Sequence, residues 1–422
     1  MASIDRAAGR RLRVVGLLVG ALAVLPFAEG CVVSDPPDPS PGGSGATLGP
    51  TPIATTASGW SAVQLHAGAR ENVLASRLST GGPGLLAAGE RVCHFEPDAP
   101  EPTACLGQLW ASRSGDDWQL VRDPDLEVST VMTTSGPEPG LIDLAANERV
   151  AVLVGWAMDR RGGVGVWTVG ADLDVRRVAT GDVFNDAARP QAIAATRSGF
   201  VIVGSVMAPG RPVAAAWWSP DGLTWTRADD GPWSAVGAYV DTGEEPGHGG
   251  MLAATGYPDG VAAVGQTCDD TGFLCSTALW HSDDGRAWEL RGTAGDVGSV
   301  ARTVTWTGDE LVGFGGDDED NGFAVDWNGR ITELEGWPAC WAATTSETGT
   351  AVACWRGGHG LPRIGRWLDD ELTELYQVVR PGSFIRAADV LAVGPVVLSI
   401  VSLETADPFE VVVLRGPLAP VE

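Results

Sequence analysis

Hydrophobic and polar positions recur along this chain in one fixed order. Two runs of small and β-branched residues, split by a Gly turn, come first, as in AIAATRSGFVIVGSV and MLAATGYPDGVAAVGQTC. A variable loop follows, then a Trp-bearing run, a polar turn and a second Trp that opens a short amphipathic run. Three such turns align without gaps: LWASRSGDDW from Leu109 to Trp118, AWWSPDGLTW from Ala216 to Trp225, and LWHSDDGRAW from Leu279 to Trp288. The apolar runs predict strands covered on both faces, and the Gly-centred link between Trp residues predicts a β-hairpin. Within that turn Asp221 and Asp284 are placed to accept hydrogen bonds from amides two or three residues on, while Gly222 and Gly285 supply the positive φ of the reversal. Ser219 and Ser282 hold the other side of the loop, and Trp225 and Trp288 cover it.

Read for this grammar, the chain contains seven units, beginning near Val73, Leu141, Gln191, Met251, Ala301, Cys340 and Ile385. Their spacing is that of propeller blades. Units two, five, six and seven lack the full turn but keep the strand order, as in VGVWTVGADLDV, FAVDWNGRITEL, IGRWLDDELTEL and FEVVVLRG. A lone four-stranded sheet leaves apolar faces wet, and radial stacking buries them. The expectation is therefore an all-β chain with a seven-bladed β-propeller over residues 59–422. The seventh unit stops after its third strand at Leu414 and Arg415, whereas WSAVQL, from Trp60 to Leu65, matches the closing runs WQLV and WELR. An amino-terminal strand is expected to complete the last blade.

The turn resembles the Asp-box of the bacterial neuraminidase repeat propellers. In that family a Ser or Thr is followed two residues later by Asp, then after one intervening residue by Gly, and after two more by an aromatic. Here Gly directly follows Asp, and the first copy carries Ser114 in place of Asp. The resemblance implies a fold shared by sialidases, other glycosidases and non-catalytic receptors and assembly factors, not one activity. Sialidase chemistry in the family needs an arginine triad, a Tyr nucleophile with a carboxylate partner and an Asp acid. This chain has only Tyr239, Tyr257 and Tyr376, no Arg-Ile-Pro signature precedes the repeats, and Arg363 in LPRIGR does not supply it. With 54 acidic residues, the two carboxylates of ordinary glycoside hydrolysis leave no legible mark. Neither a GxSxG elbow nor a glycine-rich phosphate fingerprint is present.

Composition places the chain in its compartment. Residues 1–31 read as an export signal: Arg6, Arg10, Arg11 and Arg13, an apolar run from Val14 to Phe27, then Ala28, Glu29 and Gly30 before Cys31. The pattern resembles a bacterial lipoprotein signal, which would make Cys31 the acylated first residue of the mature protein. Plain secretion and an uncleaved anchor are the alternatives. Arg10 and Arg11 hint at twin-arginine export, against which Arg13 stands. Residues 32–58, rich in Pro, Gly and Ser, read as a disordered tether. The expected location is the outer side of a bacterial cell membrane. Setting Cys31 aside, six Cys fall into close pairs, Cys93 with Cys105, Cys268 with Cys275 and Cys340 with Cys354. An oxidising compartment would bridge all three. A zinc site would want CxxC spacing, which is absent, and the five His are scattered. A formal net charge of -26, with no Lys, sets the chain against nucleic acid as a partner.

In a propeller the Asp-box turns lie on one face, and the loops between second and third strands lie on the other with the blade connectors. All three Cys pairs map to that second face, where loops on a rigid scaffold build binding surfaces. The recurrent Trp read as packing residues. Trp341 and Trp355 flank the third Cys pair and are candidates to line the central opening, set against core packing. Asp317, Asp318 and Asp320 with Glu319 form the densest acidic run, a weak calcium candidate weighed against a solvated turn. The expected function is a non-catalytic, membrane-tethered, monomeric binding or assembly module for a protein or carbohydrate, without a cofactor. The alternative is an extracytoplasmic glycoside hydrolase, and a third is a purely structural envelope protein.

Overall fold

The computed structural model describes residues 51–53, 59–65, 73–91, 105–121, 126–128, 131–133, 136–138, 140–156, 163–185, 188–208, 211–234, 250–268, 275–356, 362–377, 384–404 and 410–419. Cys31, nearly all of the tether, Tyr239 and Cys93 lie outside them, as does the side chain of Cys105, so the first Cys pair is not described. Two disulfides are: Cys268–Cys275 and Cys340–Cys354.

Seven antiparallel sheets follow one another along the chain, each strand pairing with the next. Their first strands are Val73–Gly81, Leu141–Ala146, Ala188–Thr196, Gly250–Tyr257, Val300–Trp306, Cys340–Ser346 and Phe384–Val393. Residues of all seven line a single cavity of about 340 Å³, so the first strands are innermost and the molecule is a seven-bladed β-propeller. In the seventh sheet, Ser61–Leu65 pairs antiparallel with the third strand, Ser61 opposite Arg415 and Leu65 opposite Val411, and Thr51–Ile53 lies outside it. The connector from blade one to blade two adds strands that the repeat does not predict: Glu127–Val128 on blade one, and a hairpin of Val131–Thr133 with Gly136–Glu138.

The core lies between blades rather than within them. Seven buried hydrophobic clusters occupy the seven interfaces, including one that joins Leu78, Leu85 and Trp110 of blade one to Leu398, Ile400 and Val413 of blade seven. The recurrent Trp110, Trp217 and Trp280 are at most 1% exposed, and each packs on the preceding blade. Trp167 and Trp367 do the same in blades two and six, which lack the full turn.

The turns act as staples between neighbours. The Gly222 amide donates to Ser219 Oγ at 2.8 Å, Asp221 Oδ1 accepts from the amides of Leu223 and Thr224 at 2.8 Å each, and Trp225 Nε1 donates to the Gly222 carbonyl at 3.0 Å. Ser282, Asp284, Gly285 and Trp288 repeat the pattern in blade four. Gly222 and Gly285 have φ of 77° and 79°, and a Cβ on either would press into Val152 or Val201 of the preceding blade. The first copy does not lack its carboxylate. Asp117, three residues after Ser114, accepts from the hydroxyls of Ser112 at 2.5 Å and Ser114 at 2.9 Å and from the amides of Arg113 and Ser114.

Every first strand also carries a bulge at the same place, with Ser76, Ile142, Gln191, Leu252, Arg302, Trp341 and Arg386 as the extra residues. The second strand answers in blades two to five with Gly155, Gly204, Gly265 and Gly315, where a Cβ would run into a backbone oxygen of the bulged strand. In blade six the same pair of positions holds the Cys340–Cys354 disulfide. A bulge bends its strand and re-aims a side chain.

Candidate functional site

Because each blade is an antiparallel meander, the first strand begins, the second ends and the third begins on one face of the ring. Cys268 sits opposite Cys275 between second and third strands, and Cys340 opposite Cys354 between first and second, so both disulfides lie on that face. The bulges lie near the same end of the first strands, at the mouth of the channel. There Gln191, Leu252, Arg302 and Trp341 come from four successive blades and line the cavity. Below them Ala192, Ala253 and Ala342 leave the channel wide.

The two Trp singled out by the sequence are brought together at this mouth. Trp341 and Trp355 stack with centroids 5.4 Å apart and planes at 24°, and Trp341 Nε1 donates to the Trp355 carbonyl at 3.1 Å. Trp355 is buried and serves the core, whereas Trp341 is half-buried and faces the channel. Over the Trp341 ring, 4.2 Å from its centroid, lies the Arg302 guanidinium. Arg302 is exposed to solvent, and desolvation by the channel wall it lies against draws its pKa down against the pull of Asp320. Among the described residues Arg302 has no hydrogen-bond acceptor and no ion pair. Arg363, stacked 3.9 Å over Trp337 on the same face, is by contrast committed to Glu374 and the Gly336 carbonyl.

With the channel in view, known proteins can be set beside it. No family model matches the chain, and no curated protein matches it. Its fold has solved likenesses. The β-propeller domain of the Trilobed protease from Pyrococcus furiosus superposes with a TM-score of 0.46 at 11% identity, over 83% of this chain and 98% of that one. Trypanosoma rangeli sialidase gives 0.46 at 12% identity over 82% of this chain and 55% of that one. Uncomplexed acylaminoacyl peptidase of Pyrococcus horikoshii gives 0.46 at 12%, over 83% and 53%. This chain thus spans about half the length of the sialidase and the peptidase. The likeness is to a propeller alone, and no substrate or catalytic residue passes from these proteins to this one.

Deeper in the channel are carboxylates that sequence reading did not single out. Asp143 accepts from the amides of Leu144 at 2.9 Å and of Ile193, in blade three, at 2.8 Å, and pairs with Arg77 Nε of blade one at 3.0 Å. Asp389 accepts from the amides of Val390 at 2.8 Å and of Leu78, across the seam to blade one, at 2.7 Å. Each carboxylate thereby caps an amide on the inner edge of a neighbouring blade. Desolvation raises Asp143 above its usual range and pushes Asp389 up to about 6, in both cases against the lowering pull of Arg77 and the backbone amides. Nearer the loop face Glu90, 5% exposed, accepts from the Gly140 amide of blade two, and burial holds its carboxyl up at about 7 despite that bond. The only sequence signal for these groups is an acidic residue inside an apolar run, as in LIDLAA, RAADVLAV and LLAAGER.

The remaining candidates lie elsewhere. Asp317 is held by its own turn, accepting from the amides of Glu319 at 2.9 Å and Asn321 at 2.8 Å, while Asp320 takes a φ of 62°. Asp317 stays below the usual carboxylate range, its partial burial outweighed by those bonds. Among the described residues, no three His, Cys, Asp or Glu are gathered as a metal-ligand set. Tyr257 packs on Trp306 and His281, and Tyr376 stacks on Trp60 at 4.5 Å, so neither offers its hydroxyl at the channel mouth.

Proposed function

We propose that the protein is a non-catalytic binding or assembly module, tethered to the outer side of a bacterial cell membrane, whose ligand surface is the channel mouth on the disulfide face. One contrast carries the reading. At the mouth, the Arg302 guanidinium, seated on Trp341, has no acceptor among the described residues, whereas the channel carboxylates Asp143 and Asp389 are each taken up by two backbone amides of the scaffold. In this reading Cys31 carries the lipid, the stretch from residue 32 up to the strand Thr51–Ile53 holds the propeller off the membrane, and the ligand is a protein or carbohydrate bound by a monomer without a cofactor. The turns act as Asp-boxes that lack one residue, and the strand Ser61–Leu65 clasps the ring. The test is a glycan array and a capture from native envelope, each run with the full chain and with Trp341→Ala. Binding lost in the variant supports the reading; no binding above background by the unaltered chain ends it.

One observation favours a second reading, glycoside hydrolysis. Asp143 and Asp389 share a channel and both have raised pKa values, as a general acid requires. Turnover of aryl glycosides that is abolished by Asp389→Asn would establish it and displace the first reading.

A further inference from the structure

We propose that Arg302 binds the carboxylate of a ligand that enters the channel from the disulfide face, with Trp341 as the platform that holds the guanidinium in place. The proposal deepens the reading of that face as the ligand surface and rests on it. Arg302 is the bulged residue of blade five and Trp341 that of blade six, so both are aimed by the same local device. Neither side chain hangs from a mobile loop. Stacking on an indole engages the flat face of a guanidinium and leaves its N–H edges free. Those edges have no acceptor among the described residues, and the side chain is exposed to solvent at the mouth, where a ligand can reach it.

The charges around it select the kind of anion. Of the other charged groups lining the channel, Arg77 is paired with Asp143, and Asp389 is bonded to the amides of Leu78 and Val390. Among the described side chains of the channel, Arg302 is therefore the one cation that no carboxylate neutralises by contact, with Asp320 the acidic group that acts on it from nearby. A single guanidinium in a chain of net charge -26 suits a planar monoanion that it can grip with two parallel N–H bonds. A dianionic phosphate would meet the same acidic surroundings with only one uncommitted cation among the described side chains in compensation. Room for the rest of the ligand is present: the cavity measures about 340 Å³, Gln191 supplies an amide at the mouth, and Ala192, Ala253 and Ala342 stand back from it.

A carboxylate can come from a sugar acid or from a peptide chain end, and the experiment separates them. The full chain is titrated calorimetrically with glucuronate and, in parallel, with an N-acetylated dipeptide bearing a free carboxyl group, each against its methyl ester or amide. Trp fluorescence is followed as a second signal. Saturable binding of one acid and not of its neutral partner is expected, weakened about tenfold or more in Arg302→Gln. Arg302→Lys, which keeps the charge and loses the fork, should fall between them, and both variants should melt as the unaltered chain does. If Arg302→Gln does not fold, the Lys variant alone decides. Absence of saturable binding by either acid up to on the order of 10 mM overturns the proposal. So does equal binding by acid and neutral partner, or affinity unchanged in the variants. Envelope capture by the same proteins keeps the two claims apart. Capture that persists in Arg302→Gln without carboxylate binding sinks this proposal alone, whereas an unaltered chain that captures nothing sinks the broader reading.

Discussion

Replacing Glu90 by Gln tests how the hub is held together. Glu90 is 5% exposed and bonds the Gly140 amide of the next blade, and burial lifts its carboxyl from an ordinary 4.5 to about 7. A raised carboxyl pKa means that the folded chain holds this proton more tightly than the unfolded chain does. Stability from this group is therefore fully present below about 4.5, declines as pH rises toward 7 and is gone above it. A rise of this size corresponds to ~3 kcal/mol of pH-dependent stability. Asp389, up at about 6, contributes a second decline of the same sign, beginning at lower pH. Gln is neutral throughout, and its amide oxygen can still accept from Gly140. Urea unfolding at constant ionic strength between pH 4.5 and 8 should show the unaltered chain losing stability and Glu90→Gln losing ~3 kcal/mol less over that interval. The variant should be the more stable protein at pH 8. Parallel curves for the two proteins would refute the assignment, because repulsion within a chain of charge -26 also grows with pH and acts on both alike.

Three further outcomes follow from the packing. Gly265→Ala drives a Cβ into the Gly250 carbonyl oxygen, so its thermal melt should fall by an amount equivalent to ~3 kcal/mol, whereas Gly292→Ala, with open space at its Cβ, should change little. Reducing the disulfides under native conditions should cost ~2 kcal/mol for the separation of 7 residues and ~3 kcal/mol for that of 14, read by denaturant unfolding of Cys268→Ser/Cys275→Ser and Cys340→Ala/Cys354→Ala. The Asp117 carboxyl is held down at about 2, chiefly by the Ser112 and Ser114 hydroxyls, so its contribution is present above the ordinary 3.8 and lost as pH falls through about 2. Asp117→Ala should speed hydrogen exchange at the Arg113 and Ser114 amides, with the turns of blades three and four unaffected.

The seven blades were legible because their signals are local. A Gly turn between two apolar runs, or a Trp on either side of a polar reversal, fits within about twenty residues and repeats. Trp341 and Trp355 were legible as a pair for the same reason, since 14 residues and one disulfide bring them together. Arg302 was not, because it reaches Trp341 only through the stacking of blade five on blade six. Asp143, Asp389 and Glu90 were hidden likewise: each satisfies an amide about 50 or more residues away, and nothing nearby marks it. The carboxylate of the first turn was hidden by Ser114, because the geometry also accepts one from the turn's other end, at Asp117. The glycines opposite the bulges were visible as letters in AVGQ and IVGS, but their cause, a backbone oxygen pressed against Cα, belongs to the paired strands.

The two faces of the ring use their hydrogen-bonding groups differently, and that difference is why the proposed ligand surface lies on the disulfide face. On the turn face Ser219, Asp221 and Trp225, and their counterparts in blades one and four, spend their donors and acceptors within the turn, and the turn glycines press against the blade before. A surface so satisfied has little left to offer a ligand. On the disulfide face Gln191, Leu252, Arg302 and Trp341 each come from a different blade, and the cores that fix those blades lie in the interfaces between them. Such a mouth exists only while neighbouring blades stay in register, so loosening the core between blades six and seven with Trp60→Ala should disturb the stacking of Trp341 on Trp355, read by Trp fluorescence, before it unfolds the ring.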